Sequence, residues 1–208
     1  MVSGQSFYSF FNMGGITMYI LLICSILSIA VIINRVLYFK KKTRIKRGEF
    51  VAGVKGFHAR NDMEKAIEYS RNTYSLFSNL VHAGLKLKGR TEKEISNALE
   101  REITIETIEL EKYISVVGTI GTISVYIGLF GTVLGIMKAF HNVSITGAGG
   151  ISVVIGGVAQ ALITTAAGLF IAVPAVIAYN YFVKRIDNYV REMELCASEI
   201  TDLMSINK

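Results

Sequence analysis

Few side chains in this chain can do chemistry, and their positions say more than their types. Two long apolar runs carry hydroxyls among small residues at helical spacing. One run places Gly118, Gly121, Val125, Gly128, Thr132 and Gly135 along one side; the other places Gly157, Ala161, Thr164, Gly168, Ala172 and Ala175. A hydroxyl both donates and accepts, so it can hold water or a hydrated ion without the cost of burying a charge. The plainer reading of the same stripes is close helix–helix contact through small residues, and both readings can hold on different faces. The other reactive residue types form no set: His58, His82 and His141 are scattered, and Cys24 and Cys196 belong to no ligand cluster. The expectation is a protein that is not an enzyme and that carries no metal and no cofactor.

Charge placement sharpens this. Acidic side chains are absent from Met1 to Gly48 and again from Lys112 to Ile186, so neither run contains a carboxylate. Ion-coupled membrane machines ordinarily need a titratable carboxylate within the membrane. If this chain moves ions, the carrier group must come from another protein or from water. The formal net charge is +6, but lysine and arginine cluster beside the apolar runs. That pattern points to membrane orientation and anionic lipid rather than to nucleic acid.

The elements that must position these residues read as an all-α integral membrane protein with three transmembrane helices. Of 208 residues 51% are hydrophobic, with many glycines, one proline and no tryptophan, and the mean hydropathy is +0.45. Residues 1–15 carry Phe7, Tyr8, Phe10 and Phe11, which suit either an interfacial segment or a frayed terminus. Residues 16–39 form the first span, apolar until Arg35, which is expected to snorkel toward the basic side. Lys40, Lys41, Lys42 and Arg44 follow, a stop-transfer and orientation signal that places the N-terminus outside and residue 40 inside.

Residues 40–112 read as a cytoplasmic helical domain. Asn61 or Asp62 can cap a helix through Ala66 and Tyr69, and Thr91 with Glu94 makes a capping box for another. Ile95, Leu99, Ile103 and Leu110 recur at helical spacing, with Glu92, Glu100, Glu106 and Glu109 on other, solvated faces. No breaker separates this pattern from the second span at 113–138, which predicts one long helix entering the bilayer. Residues 139–150 form an external connection. The third span, 151–183, exceeds the roughly 20 residues a bilayer needs, so it must tilt, project or bend near Pro174. In 184–208 a cytoplasmic C-terminal helix carries Ile186, Val190, Met193, Ala197, Ile200 and Met204 as a stripe that fits packing on the cytoplasmic part of the second helix. Cys24 lies in a span and Cys196 in this tail, so no disulfide is expected.

Two stretches, Tyr126 to Phe140 (YIGLFGTVLGIMKAF) and Val158 to Asn180 (VAQALITTAAGLFIAVPAVIAYN), closely resemble the signature segments of the MotA/TolQ/ExbB proton-channel family. The first span and the loop agree with it only in layout. Flagellar members usually have a fourth span, so the ExbB/TolQ branch is the nearer one. The resemblance implies a bacterial inner-membrane channel subunit, assembled as a pentamer around a dimer of a single-span ExbD/TolR-type protein that brings an essential aspartate. Work from ion flow would pass to a TonB/TolA-type envelope protein. Carried over residue by residue, Thr132 and Thr165 match the family's pore-facing threonines, and Pro174 matches its helix-bending proline. Thr164 is turned by about 100° from Thr165 and is the weaker candidate. Gln160 stands where many ExbB and TolQ sequences carry glutamate; an amide keeps its hydrogen bonds but cannot titrate. That departure leaves room for a sodium-driven member, and a non-conducting structural scaffold of an envelope complex is the alternative of a different class.

Overall fold

A computed structural model describes residues 5–146 and 151–205, with side chains for 15–144 and 154–204. All regular structure among the described residues is helical: α1 (Gln5–Lys42), α2 (Arg47–Ala59), α3 (Met63–Asn72), α4 (Ser78–Lys86), α5 (Glu92–Glu111), α6 (Ile114–Thr146) and α7 (Ile151–Ser205). Three helical stretches are long and apolar enough to cross a membrane. Side chains of the aromatic cluster Phe7 to Phe11 lie outside the described residues. The chain divides into two compact units, Met1–Ile33 with Tyr113–Tyr181 and Asn34–Lys112 with Phe182–Lys208.

The first unit has the polarity of a protein that meets hydrocarbon. Many of its exposed positions are large and apolar, among them Ile23, Ile26, Ile29, Met137 and Ile177, with Phe170 81% exposed. Its buried positions include Thr17, Ser28, Ser124, Thr132 and Thr164. Apolar surface of this extent on every helix is tolerated only against lipid or an apolar protein neighbour. Helix α1 is interrupted at Gly15, whose φ of 62° is a conformation that glycine adopts without Cβ strain.

In the second unit consecutive helices pack α2 on α3, α3 on α4 and α4 on α5, around a core that includes Phe50, Leu76, Leu80 and Leu99. The helix starts follow from local chemistry. Asp62 caps α3 by accepting from Lys65 N–H at 3.2 Å. Thr91 and Glu94 form the reciprocal capping box of α5. The end of α7 buries Ile186, Met193 and Ile200 in this unit. Ile200 lies against Gly84, where a Cβ would meet both Ile200 Cγ2 and Leu99 Cδ2 at 3.0 Å, so this part of the stripe meets α4 beside Leu99 of α5, whereas its spacing pointed to α5 alone. Phe182 packs against Phe39 of α1 with the rings tilted by 59° and their centroids 5.6 Å apart.

Four local expectations give way. The single helix anticipated across residues 91–137 is two helices, because Lys112 takes ψ 128° and Tyr113 takes φ 63°, rare for a bulky side chain. Its cause is remote in sequence. Arg35 does not reach for solvent; it is 3% exposed and donates to the carbonyls of Glu109 and Leu110 at 2.6 and 2.7 Å. In a continuous helix those oxygens would accept from residues 113 and 114, so the guanidinium supplies the bonds the break removes. Glu106, read from sequence as part of a solvated face, is 2% exposed. Finally, α6 runs on to Thr146, well into the stretch read as a connection, while residues 147–150 lie outside the described ones.

Candidate functional site

Helices α6 and α7 approach along a seam of small residues. A Cβ on Gly121 would come 2.7 Å from Val176 Cγ2, one on Gly135 2.7 Å from Ala161 Cβ, and one on Gly168 2.5 Å from the main-chain oxygen of Ser124. A Cβ on Gly128 would lie 3.1 Å from both Thr164 O and Thr165 Cα, and one on Gly157 would meet Ala139. Contacts advance along α6 as they retreat along α7, so the two helices are antiparallel. The small-residue stripes are therefore close-packing faces, which only residues without bulk permit.

The candidate hydroxyls lie in or beside this seam. Thr132 is buried and donates to Leu129 O at 2.6 Å. Thr165 is half-buried and donates across the seam to Gly128 O at 3.0 Å. Two hydroxyls thus bond to the carbonyls of adjacent residues, and each keeps lone pairs with which to accept. Thr164 is 1% exposed; its methyl faces Gly131, close to the Thr17 hydroxyl of α1. Side chains of Thr164 and Thr165 diverge as the helical turn requires, so only Thr165 reaches Gly128.

Gln160 lies one turn before Thr164 and is half-buried. It lines a recess of about 330 Å³ together with Thr17, Gly131, Lys138, Asn142 and Thr164. Lys138 is the only charged residue in that lining. Pro174 lies within α7, which stays helical on both sides of it. Neither Met1–Ile33 nor Tyr113–Tyr181 contains an aspartate or glutamate, so the first unit has no carboxylate side chain. No group of three or more potential metal-ligating side chains occurs among the described residues, and Cys24 and Cys196 are free thiols.

Lys40, Lys41, Lys42 and Arg44 lie at and just beyond the end of α1, in the second unit. Lys42 is not a free surface charge. Its ammonium is 3.0 Å from the Glu106 carboxylate, which also accepts from Asn79 Nδ2 at 2.9 Å. Burial works against the charged Lys42, but the hydrogen bond and charge of Glu106 outweigh it and its pKa is raised.

Sequence reasoning passed over two groups in the membrane unit. Ser124 is fully buried, and its hydroxyl has no hydrogen-bond partner among the described residues. It sits three residues after Gly121 and four before Gly128, on the stripe already visible. Among the described side chains, Thr17 lies on the buried face of α1 with Leu21, Cys24 and Ser28. That spacing is helical, but the run is apolar all round, so nothing distinguishes the face turned inward.

Known proteins share this architecture's sequence. The MotA/TolQ/ExbB proton channel family profile matches residues 72–195. Biopolymer transport protein ExbB of Salmonella typhimurium is 30% identical over 201 residues, 89% of this chain and 79% of that protein. ExbB of Xanthomonas campestris is 35% identical over 111 residues, 53% of this chain, and the match spans 44% of that protein's length. Tol-Pal system protein TolQ of Pseudomonas aeruginosa is 38% identical over 110 residues, 53% of this chain and 48% of that protein. The profile covers α4, α5, α6 and most of α7, and this multi-pass membrane protein belongs to the MotA/TolQ/ExbB proton channel family.

Proposed function

We propose that the chain is the non-enzymatic channel subunit of an ion-motive-force-driven motor in a bacterial inner membrane, serving biopolymer transport or envelope maintenance. One observation carries this reading: a membrane unit with a hydroxyl-bearing α6–α7 pair and no carboxylate of its own. Protons crossing such a unit need a carrier from elsewhere, and an aspartate on a single-span ExbD/TolR-type partner dimer supplies that chemistry. A homopentamer gives the apolar outer faces of α6 and α7 protein neighbours around that partner. Thr132 and Thr165 then accept from water or a hydrated ion in the pathway, with Thr164 and Gln160 beside it and Pro174 as the bend in α7. Force passes through the partner to a TonB/TolA-type protein. The basic run Lys40 to Arg44 holds the N-terminus outside and the C-terminus inside.

A non-conducting scaffold is the second reading, favoured by the burial of Thr132 and Thr164 inside one subunit. Sodium coupling is the third, favoured by an amide at Gln160 in place of a titratable group. The test is the mass of the detergent-purified complex with and without a co-expressed aspartate-bearing single-span protein, followed by flux in liposomes. A five-fold assembly that retains the partner and passes protons supports the motor. The same assembly passing no ion supports the scaffold, and flux that follows sodium rather than pH supports the third reading. A monomer that ignores every such partner overturns the assembly.

A further inference from the structure

A recess of about 350 Å³ opens in the second unit where α1 ends and α2 begins. Its polar lining comes from Thr43, Lys46 and Arg47 on one side and from Arg185, Asn188 and Tyr189 of α7 on the other. Thr43 directly follows the last lysine of α1, and Arg185 lies two residues after Val183, the end of the uncharged run. Along the sequence, the recess residues thus follow directly on the ends of the first and third apolar runs.

Its chemistry is that of an anion site. Three cations line it against one carboxylate, Glu192, but Arg47 is engaged both by Glu192 at 2.9 Å and by Glu199, so the cationic character of the recess rests on Lys46 and Arg185. Lys46 is the N-cap of α2 and no side chain caps this helix. Its first main-chain bond runs from Phe50 N–H to Lys46 O, so the N–H groups of the first turn have no partner within the helix. Those groups and the helix dipole favour a negative ligand. Gly48, which also lines the recess, would meet nothing within 4 Å if it bore a Cβ, so an approaching group has room there. Tyr189 and Asn188 add neutral hydrogen-bonding groups, while Ile45 and Phe77 give the recess an apolar wall.

We propose that this recess binds the phosphate of an anionic phospholipid headgroup. A phosphodiester presents acceptor oxygens to Lys46, Arg185 and the start of α2, and its glycerol end meets the apolar wall, from which a free phosphate gains nothing. Only the membrane-spanning character of the chain is required, so the site is independent of ion conduction.

The test uses the full chain in detergent, delipidated and exposed to an equimolar mixture of phosphatidylglycerol and phosphatidylcholine, with retained lipid counted by native mass spectrometry. Wild type should retain phosphatidylglycerol over phosphatidylcholine by about tenfold or more. Lys46→Gln with Arg185→Gln should abolish that preference, while Lys86→Gln with Lys88→Gln removes equal charge elsewhere and should preserve it. Asn188→Asp brings a carboxylate into the recess without removing a cation and should also abolish the preference, which keeps the test decisive if the double variant fails to fold. Equal preference in wild type and folded recess variants would overturn the site. Loss of lipid from wild type in millimolar inorganic phosphate, down to the double variant's level, would make it a free-phosphate site and overturn the lipid assignment.

Discussion

Arg35 donates through Nη2 to the main-chain oxygen of Leu110 at 2.7 Å, inside the second unit. The same nitrogen reaches Glu109 O at 2.6 Å, so one side chain of α1 terminates α5. A planar cationic donor suits this place because helix C-terminal carbonyls carry partial negative charge and no intrahelical partner. Arg35→Met should destabilise the protein by about 1.5–3 kcal/mol, the usual range for a lost charge-assisted bond. It should also speed hydrogen exchange around Lys112 to Ile114. Unchanged melting and exchange in detergent would show that water caps α5 equally well.

In the Lys42–Glu106 pair the carboxylate is buried and the lysine half-buried, with side chains 3% and 12% exposed respectively. Glu106→Gln should cost about 3 kcal/mol or more by leaving the ammonium uncompensated, whereas Lys42→Met with Glu106→Leu should stay close to wild type. The pH dependence has a definite sign. Because the folded-state pKa of Lys42 is raised above its ordinary value of 10.5, its stabilisation is fully present below that value and is lost as pH rises through the raised one. Melting temperature followed from neutral to strongly alkaline pH should fall less steeply for the double variant than for wild type. Parallel curves would remove the pair from the account.

Gly168 and Gly156 share α7 but have opposite surroundings. An added Cβ at Gly168 would lie 2.5 Å from Ser124 O and 3.0 Å from Gly128 Cα, both main chain, whereas at Gly156 it would meet nothing within 4 Å. Gly168→Ala should force α6 and α7 apart and cost about 1–3 kcal/mol. Gly156→Ala should be neutral or gain a few tenths of a kcal/mol, since alanine is the better helix former. Thermal melting of the two purified variants separates these outcomes, and equal tolerance would mean the seam is looser than its geometry.

Thr165→Val removes the bond to Gly128 O at 3.0 Å and should cost about 1 kcal/mol of stability. On the motor reading it should abolish proton flux in partner-containing liposomes while assembly survives, and Thr165→Ser should restore flux. Thr132→Val should behave alike, and Gln160→Ala should be milder. Normal flux in both valine variants, at normal abundance, would sink the pathway assignment.

Much of the fold is legible because it depends on neighbours in sequence. The caps at Asp62 and Thr91 are local hydrogen bonds, and the glycine stripes of α6 and α7 repeat every turn, so spacing alone reveals them. The break at Tyr113 was not legible. No glycine or proline marks it, and the group that replaces its helical bonds is 75 positions away from Leu110. Glu106 was misread for the same reason: among other glutamates on one helix it has no local mark of burial, and its partner Lys42 is 64 positions away.

By itself the sequence determined a three-span helical membrane protein with charges grouped beside the spans and no carboxylate within them. Those are properties of runs and periods, and the cost of placing charge in hydrocarbon makes them readable in one dimension. Only the tertiary structure decided which hydroxyls bond across the seam, which glutamate is buried with a lysine, and where α5 must end. Each depends on a partner brought close by packing, and an apolar helix looks the same in sequence whichever face it turns inward.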